Sequence, residues 1–230
     1  MLRDTGYRGP LAVIPQFGID PERFRPDEGA RTRTRKKLGL GCDDFVVGFA
    51  GRLVPEKGVE ALLDAASATE GTTVVFIGEG PLREALESRA RSGKDGVRAR
   101  FVGRVPSPAI PRWLNGLDAL VLPSRDAPRW SEQFGRVLVE AMACGVPVVG
   151  TDSGEIPRVI GDAGVVVAGA GARALAGALR SLRDDPGRRR ALGEAGRRRA
   201  LERFTNDRIA RKTAAFYAEL LTERQPSWAS

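Results

Sequence analysis

Trp130-Ser131-Glu132-Gln133-Phe134-Gly135-Arg136-Val137-Leu138-Val139-Glu140-Ala141-Met142-Ala143-Cys144-Gly145-Val146-Pro147-Val148-Val149 is the stretch around which the chain reads. Ahead of it, Ala119 to Leu122 is an apolar strand ended by Pro123-Ser124; behind it, Pro147 to Gly150 reads as the next strand. Between them lie a long loop and a helix that Cys144-Gly145 closes. The unit is strand, loop, helix, strand. It puts Gly135 at a helix N-terminus, where unpaired N–H groups and the positive end of the dipole suit an anion. Glu140 is flanked by Val137, Leu138, Val139, Ala141 and Met142, so its helix is apolar on nearly every side. An ionised carboxylate there costs several kcal/mol unless donors satisfy it. Two readings stand: a polyhydroxylated ligand supplies those donors, or Glu140 sits at the rim, solvated or paired with an arginine.

Working outward, the same alternation repeats. Phe45 to Ala50 is a strand, followed by Gly51-Arg52-Leu53-Val54-Pro55-Glu56-Lys57-Gly58 and a helix through Ala68. Thr72 to Ile77 is a strand, then Gly78-Glu79-Gly80-Pro81 and a helix to about Ala90. Val97 to Val102 is a strand, Ser107 to Asn115 a short helix, and Val165 to Ala168 a last strand before three helical stretches that end near Leu221. Toward the N-terminus, Ala30 to Leu38 reads as a polar helix and Leu11 to Ile14 as a short strand leading into a turn-rich linker. Short strands alternating with helices predict βαβ units and a parallel sheet, hence an α/β, Rossmann-like domain. Ligands of such sheets sit beyond the carboxyl ends of the strands, where the loops after Ala50, Ile77, Val102 and Leu122 all leave.

Those loops carry consistent chemistry. Arg52 and Lys57 flank a proline turn, and two such cations suit a diphosphate, though two surface cations would look the same. Gly78-Glu79-Gly80 admits close backbone approach or serves turn geometry alone. It starts a dinucleotide fingerprint, but Arg83 stands where the third glycine belongs, so NAD binding is weakly supported.

Composition narrows the field. The 230 residues, 42% hydrophobic and 29% charged, suit one large α/β domain or two small ones. No run is long enough for a transmembrane helix, and Met-Leu-Arg-Asp-Thr-Gly at the N-terminus has no signal-peptide apolar region. Cys42 and Cys144 are too few and too distant for a disulfide framework or zinc site, so a reducing cytoplasm is the expected location. The chain has no histidine, which removes Ser-His-Asp and Cys-His catalysis and histidine metal ligation from its own chemistry. No Asp-x-Asp pair suggests a carboxylate-held metal either. The net charge of +8 points toward nucleic acid or anionic surfaces. However, only five of the 37 basic residues are lysine, and the runs Arg188-Arg189-Arg190 and Arg197-Arg198-Arg199 share one helical segment without interleaved aromatics. A solvated basic helix face is the expectation, with peripheral membrane attraction left open for part of it and no nucleic-acid partner.

Taken together, Gly51-Arg52-x4-Lys57-Gly58, Gly78-x-Gly80-Pro81, Phe101-Val102-Gly103, the run from Glu132 to Val149 and Gly154-x2-Pro157 resemble the C-terminal, donor-binding half of a retaining family 4 glycosyltransferase of the GT-B superfamily. The resemblance covers about residues 10 to 222, and its Glu-x7-Glu block is specific. It implies sugar transfer from a nucleotide-sugar to a hydroxyl acceptor with retention at the anomeric carbon. Arg52 and Lys57 then stabilise the donor pyrophosphate in place of a metal, so no metal or cofactor is expected. Glu132 holds donor-sugar hydroxyls, beside the amides of Phe134 and Gly135, with Arg136 and Val137 following in the same donor segment. Glu140 binds the ribose hydroxyls, and Gly51, Gly78, Gly80, Val102, Gly103 and Arg104 line phosphate and base. Whether the donor is UDP-, GDP- or ADP-linked stays undetermined.

The resemblance also divides the chain. Residues 1–20 form the interdomain linker and lead-in strand, 21–203 the nucleotide-sugar-binding domain, and 204–222 a helix that crosses back to a missing N-terminal acceptor domain, without which the chain is inactive. One departure is the loop Ser124 to Ser131, longer than usual, whose Trp130 either closes over the donor or packs on the sheet. Two rival readings are a different GT-B enzyme, such as a nucleotide-sugar epimerase or phosphorylase, and a non-catalytic basic module for RNA or anionic lipid.

Overall fold

The computed structural model describes residues 2–92 and 97–223; Met1 of the expected linker lies outside them. Six strands form one parallel sheet: β1 Phe45–Ala50, β2 Thr72–Ile77, β3 Arg98–Gly103, β4 Ala119–Leu122, β5 Val148–Thr151 and β6 Val165–Val167, in the order β3-β2-β1-β4-β5-β6. Nearly every residue of β1, β2, β4 and β5 is buried, because helices cover both faces of a parallel sheet and leave no solvent side to alternate against. The helices are α1 Glu28–Leu38, α2 Val59–Ser67, α3 Arg83–Ser92, α4 Ile110–Asn115, α5 Arg136–Ala143, α6 Ile156–Ile160, α7 Ala172–Asp184, α8 Pro186–Arg203 and α9 Asn206–Glu223.

The strand order reverses between β1 and β4, which pair directly through Val47–Ala119 and Gly48–Leu120. The chain leaves β1 toward β2 on one side and β4 toward β5 on the other, so the loops after β1 and β4 part at that point and open a crevice. This is the α/β, Rossmann-like parallel sheet expected, and the crevice lies at the strand ends where the glycine loops were expected to converge.

Local sequence explains the elements that frame it. Helix α5 begins at Gly135, whose φ of 72° falls in the left-handed region that a side chain would resist. It ends in a Schellman turn, with Gly145 donating to the Met142 carbonyl at 2.9 Å and Val146 to that of Ala141 at 3.0 Å. Leu138 through Ala143 are all buried, Glu140 included. At the other end of the sheet Asp118 ties α1 to β1 and β4: it accepts from Arg31 at 2.7 Å, from Arg35 at 2.6 Å and from the Val46 amide at 2.7 Å.

The structure departs from expectation in three places. Leu11 to Ile14 forms no strand; Pro10 and Pro15 bracket it, each removing a backbone donor, and Val13 is 75% exposed. The link to the domain comes later, where Ile19 pairs with Thr205 between α8 and α9, its N–H donating to the Phe204 carbonyl at 2.8 Å. Helix α6, too short for a periodic signal, was not anticipated. The arginine runs of α8 are not a uniformly solvated face either. Arg189 donates to the Leu182 carbonyl at the end of α7, Arg197 to the Ala143 carbonyl at the end of α5, and Arg199 to the Arg158 and Val159 carbonyls at the end of α6. Helix ends leave carbonyls unpaired, and these guanidinium groups satisfy them.

Candidate functional site

A cavity of about 770 Å³ fills the crevice beyond the carboxyl ends of β1, β2 and β4. The loop after β1 brings Gly51, Arg52 and Lys57, and the loop after β2 brings Gly78. Arg104 and Val105 follow β3, while Glu132 through Val137 and Glu140 come from the loop after β4 and the first turns of α5. Residues more than eighty positions apart in the chain thus face one space.

Gly78 makes the wall between the first two loops thin. Its φ is 143°, and a Cβ there would lie 1.9 Å from the Gly51 carbonyl oxygen. The Gly51 amide donates to the Ile77 carbonyl at 2.9 Å and the Leu53 amide to that of Glu79 at 2.9 Å, so the two loops are laced backbone to backbone. Gly80, Val102 and Gly103 do not line the cavity. Gly80 packs against the Leu53 carbonyl, and Gly103 pairs with Gly78 behind the wall. Val102, within β3, packs against the core.

Glu132 is buried at the crevice. Its Oε2 lies 2.5 Å from Lys57 Nζ and accepts from the Ser124 hydroxyl at 2.8 Å; its Oε1 has no hydrogen-bond partner among the described residues. Backbone ties fix the residue, the Glu155 amide donating to the Glu132 carbonyl at 2.9 Å, with Gly154 packed against that same oxygen. Ser124, fully buried, was missed in the sequence, although its place directly after β4 and Pro123 puts it at the carboxyl edge. The loop between them is a tight antiparallel turn, Ala127 and Trp130 exchanging both backbone hydrogen bonds at 2.8 and 3.0 Å. It brings the Trp130 ring to 5.0 Å from Lys57 Nζ, a cation–π contact.

Glu140 is paired with an arginine, as one of its two readings had it, but it is buried and not solvated at a rim. It is 7% exposed, lines the cavity and lies 3.2 Å from the half-exposed Arg136 one helical turn earlier. Burial pushes its carboxyl above the usual carboxylate range, and the charges of Arg136 and Arg23 pull it back only in part. Burial, with Glu140's charge adding, pushes the nearby Cys144 thiol up to about 12, so this cysteine is a packing residue and not a nucleophile at neutral pH. Arg52 is largely exposed and holds Glu56 only loosely at 3.5 Å, leaving its guanidinium free to turn toward a ligand. Gln16 and Phe17 also line the cavity. Phe17 stands 6.2 Å from Phe134, which packs edge-on against Phe204 at 5.8 Å. No local signal marks Phe17, because its partner is more than a hundred positions away.

Arg52 and Lys57, the buried carboxylates Glu132 and Glu140, and the first turn of α5 line one space, with Lys57 in direct contact with Glu132, a set of groups suited to a ligand with a diphosphate and several hydroxyls. Among the described residues no three Asp, Glu or Cys side chains gather as a metal site. Residues 30–199 match the family Glycosyl transferases group 1. The chain belongs to that family. This group 1 chain is 36% identical to the GDP-mannose-dependent alpha-(1-6)-phosphatidylinositol monomannoside mannosyltransferase of Mycolicibacterium smegmatis, over 94% of its own length and 58% of the relative's. Its fold matches Anabaena HepE in complex with UDP-glucose at a TM-score of 0.75 and 26% identity, over 86% of this chain and 56% of that one. It also matches the C-terminal domain of a Francisella tularensis group 1 glycosyl transferase, LpcC, at a TM-score of 0.72 and 27% identity, over 82% of this chain and 100% of that one. The sheet and its helices are those of GT-B glycosyltransferases. The chain spans about half the length of the curated relatives it matches. No helix among the described residues is long and apolar enough to cross a membrane.

Proposed function

We propose that this chain is the nucleotide-sugar-binding domain of a retaining glycosyltransferase, which moves a sugar from a nucleotide donor to a hydroxyl acceptor and depends on an N-terminal domain for the acceptor site. The observation that carries the reading is the meeting, at the switch point of the sheet, of Lys57 and Arg52 with Glu132 and Glu140. In this reading Arg52 and Lys57 take the diphosphate and stabilise its charge as the sugar departs, the role a divalent metal has elsewhere, and no metal or other cofactor is needed. Glu132 accepts from sugar hydroxyls, Glu140 from the ribose hydroxyls, and the amides at Phe134 and Gly135 face phosphate and sugar. Gly78 and Arg104 border the base. The protein's contribution to rate is positioning and charge, with the leaving phosphate helping to deprotonate the acceptor.

Three observations support a half-molecule. The chain spans half of its relatives, its fold covers the whole of a solved C-terminal domain, and apolar side chains stand exposed on α9 (Tyr217 at 62%, Leu221 at 73%) and in the lead-in segment (Val13 at 75%). We assign residues 1–20 as linker, 21–203 as the donor domain and 204–222 as the segment that returns to the acceptor domain. The proposed setting is the cytoplasm, with peripheral membrane contact through the outward arginines.

Calorimetric titration with UDP, GDP, ADP and their sugar conjugates tests this. One base should bind selectively, and Glu140→Ala should weaken that binding by about ten- to a hundredfold. Silence toward all of them, both alone and after fusion to the N-terminal half of the Mycolicibacterium relative, would sink the proposal.

A further inference from the structure

Lys57, one of the cations that line the crevice, is engaged by the protein itself. Its Nζ lies 2.5 Å from Glu132 Oε2 and 5.0 Å from the centre of the Trp130 ring. Glu132 in turn is buried, and without the ammonium that oxygen would keep only the Ser124 hydroxyl. Removing a charge partner from a buried carboxylate is strongly unfavourable unless other donors replace it.

Building on the donor-binding reading above, we infer that Lys57 is exchanged between Glu132 and the donor diphosphate, and that only a donor still carrying its sugar completes the exchange. Sugar hydroxyls can take the place of the ammonium on Glu132 and release Lys57 to the diphosphate. A bare nucleoside diphosphate offers Glu132 nothing, so Lys57 stays where it is. Trp130 is a positioning residue: its ring face holds the ammonium at the Glu132 end of its reach. The site therefore prefers substrate to product. Once the sugar has been transferred, Lys57 returns to Glu132 and the spent nucleoside diphosphate loses a cation.

The test titrates the chain and its variants with UDP, GDP, UDP-glucose and GDP-mannose. Glu132→Gln should tighten binding of the bare diphosphate about tenfold, the size of one charge-assisted hydrogen bond, while erasing the advantage of the sugar conjugate. Trp130→Leu should tighten it about two- to fivefold, and Trp130→Phe, which keeps a ring, should restore the original affinity. In a Lys57→Met background neither substitution should matter, a dependence that simple damage to the fold would not produce. Should Glu132→Gln misfold, the Trp130 pair carries the test alone. Unchanged or weaker diphosphate binding in the folded variants, or the same gain without Lys57, would overturn the exchange while leaving the donor site intact. Failure of the unaltered chain to bind any of the four ligands would overturn the donor-binding reading, and the exchange with it.

Discussion

The two ends of the sheet hold similar ingredients in opposite states. At the amino end, Asp118 has both oxygens occupied, by Arg31, Arg35 and the Val46 amide, and Arg35 gives its Nε to the Gly116 carbonyl and its Nη1 to those of Gly41, Cys42 and Asp44. At the carboxyl end, Glu132 has one oxygen occupied and Glu140 has a single, half-exposed cation at 3.2 Å. Both ends hold buried carboxylates beside cations. Saturation separates them: the carboxylate with both oxygens occupied ties the frame together, and those lining the cavity keep acceptor capacity to spare.

The comparison breaks most visibly at Asp118. Asp118→Ala leaves Arg35, itself 5% exposed, without its charge partner, and should cost about 3–5 kcal/mol in chemical denaturation. A loss under about 1 kcal/mol would mean that saturation does not mark the frame. Glu140→Ala should do the reverse. Donor affinity should fall by about 1.5–3 kcal/mol in calorimetry, the worth of hydrogen bonds to a charged acceptor, while stability stays within about 1 kcal/mol of the original. A large stability loss there would make Glu140 a structural residue and erase the contrast.

Acidity sharpens the same point. Because burial raises the Glu140 carboxyl, the folded chain binds that proton more tightly than the unfolded chain does. Stability linked to this group is therefore greatest at low pH and declines as pH rises through the ordinary carboxylate value to the raised one. Glu140→Gln should remove that part of the slope in melting curves recorded against pH. Donor binding runs the other way, since hydroxyls donate to the charged form. Affinity should climb with pH across that window, and titration in buffers of different ionisation enthalpy should show proton release on binding. Proton uptake, or none, would count against Glu140 as the hydroxyl acceptor.

How far all this can be read from residues alone depends on the range of the interaction. Strands β1, β2, β4 and β5 were legible because burial on both faces demands unbroken apolar runs between glycine and proline stops. The glycine loops and the Glu132–Glu140 spacing were legible because neighbouring residues carry their geometry. Leu11 to Ile14 misled for the matching reason: an apolar tetrapeptide looks like a strand whether or not an edge is there to receive it. Ser124, Phe17 and the Trp130–Lys57 contact depend on where distant loops meet, and no local pattern encodes that. Gly80, Val102 and Gly103 sit close to the cavity without facing it, a distinction that only the backbone path settles.

The arginine runs of α8 show the same limit from the other side. Composition makes each run three equivalent charges, yet within Arg197-Arg198-Arg199 the helix turns the first and third inward onto the ends of α5 and α6 and leaves Arg198 exposed. Arg189 likewise turns inward between the exposed Arg188 and Arg190. The inward guanidinium groups satisfy carbonyls at the negative ends of three helices, and Arg197 does so for the helix that presents Glu140. Arg197→Ala should therefore cost about 1–2 kcal/mol in denaturation, whereas Arg198→Ala should stay within about 0.5 kcal/mol. Vesicle binding, if the outward residues mediate it, should show the opposite order, weakening with Arg198→Ala and not with Arg197→Ala. Equal effects on stability would return the run to a solvated basic face. A difference would mean that much of this chain's excess positive charge closes helices near the site and is not available to a partner.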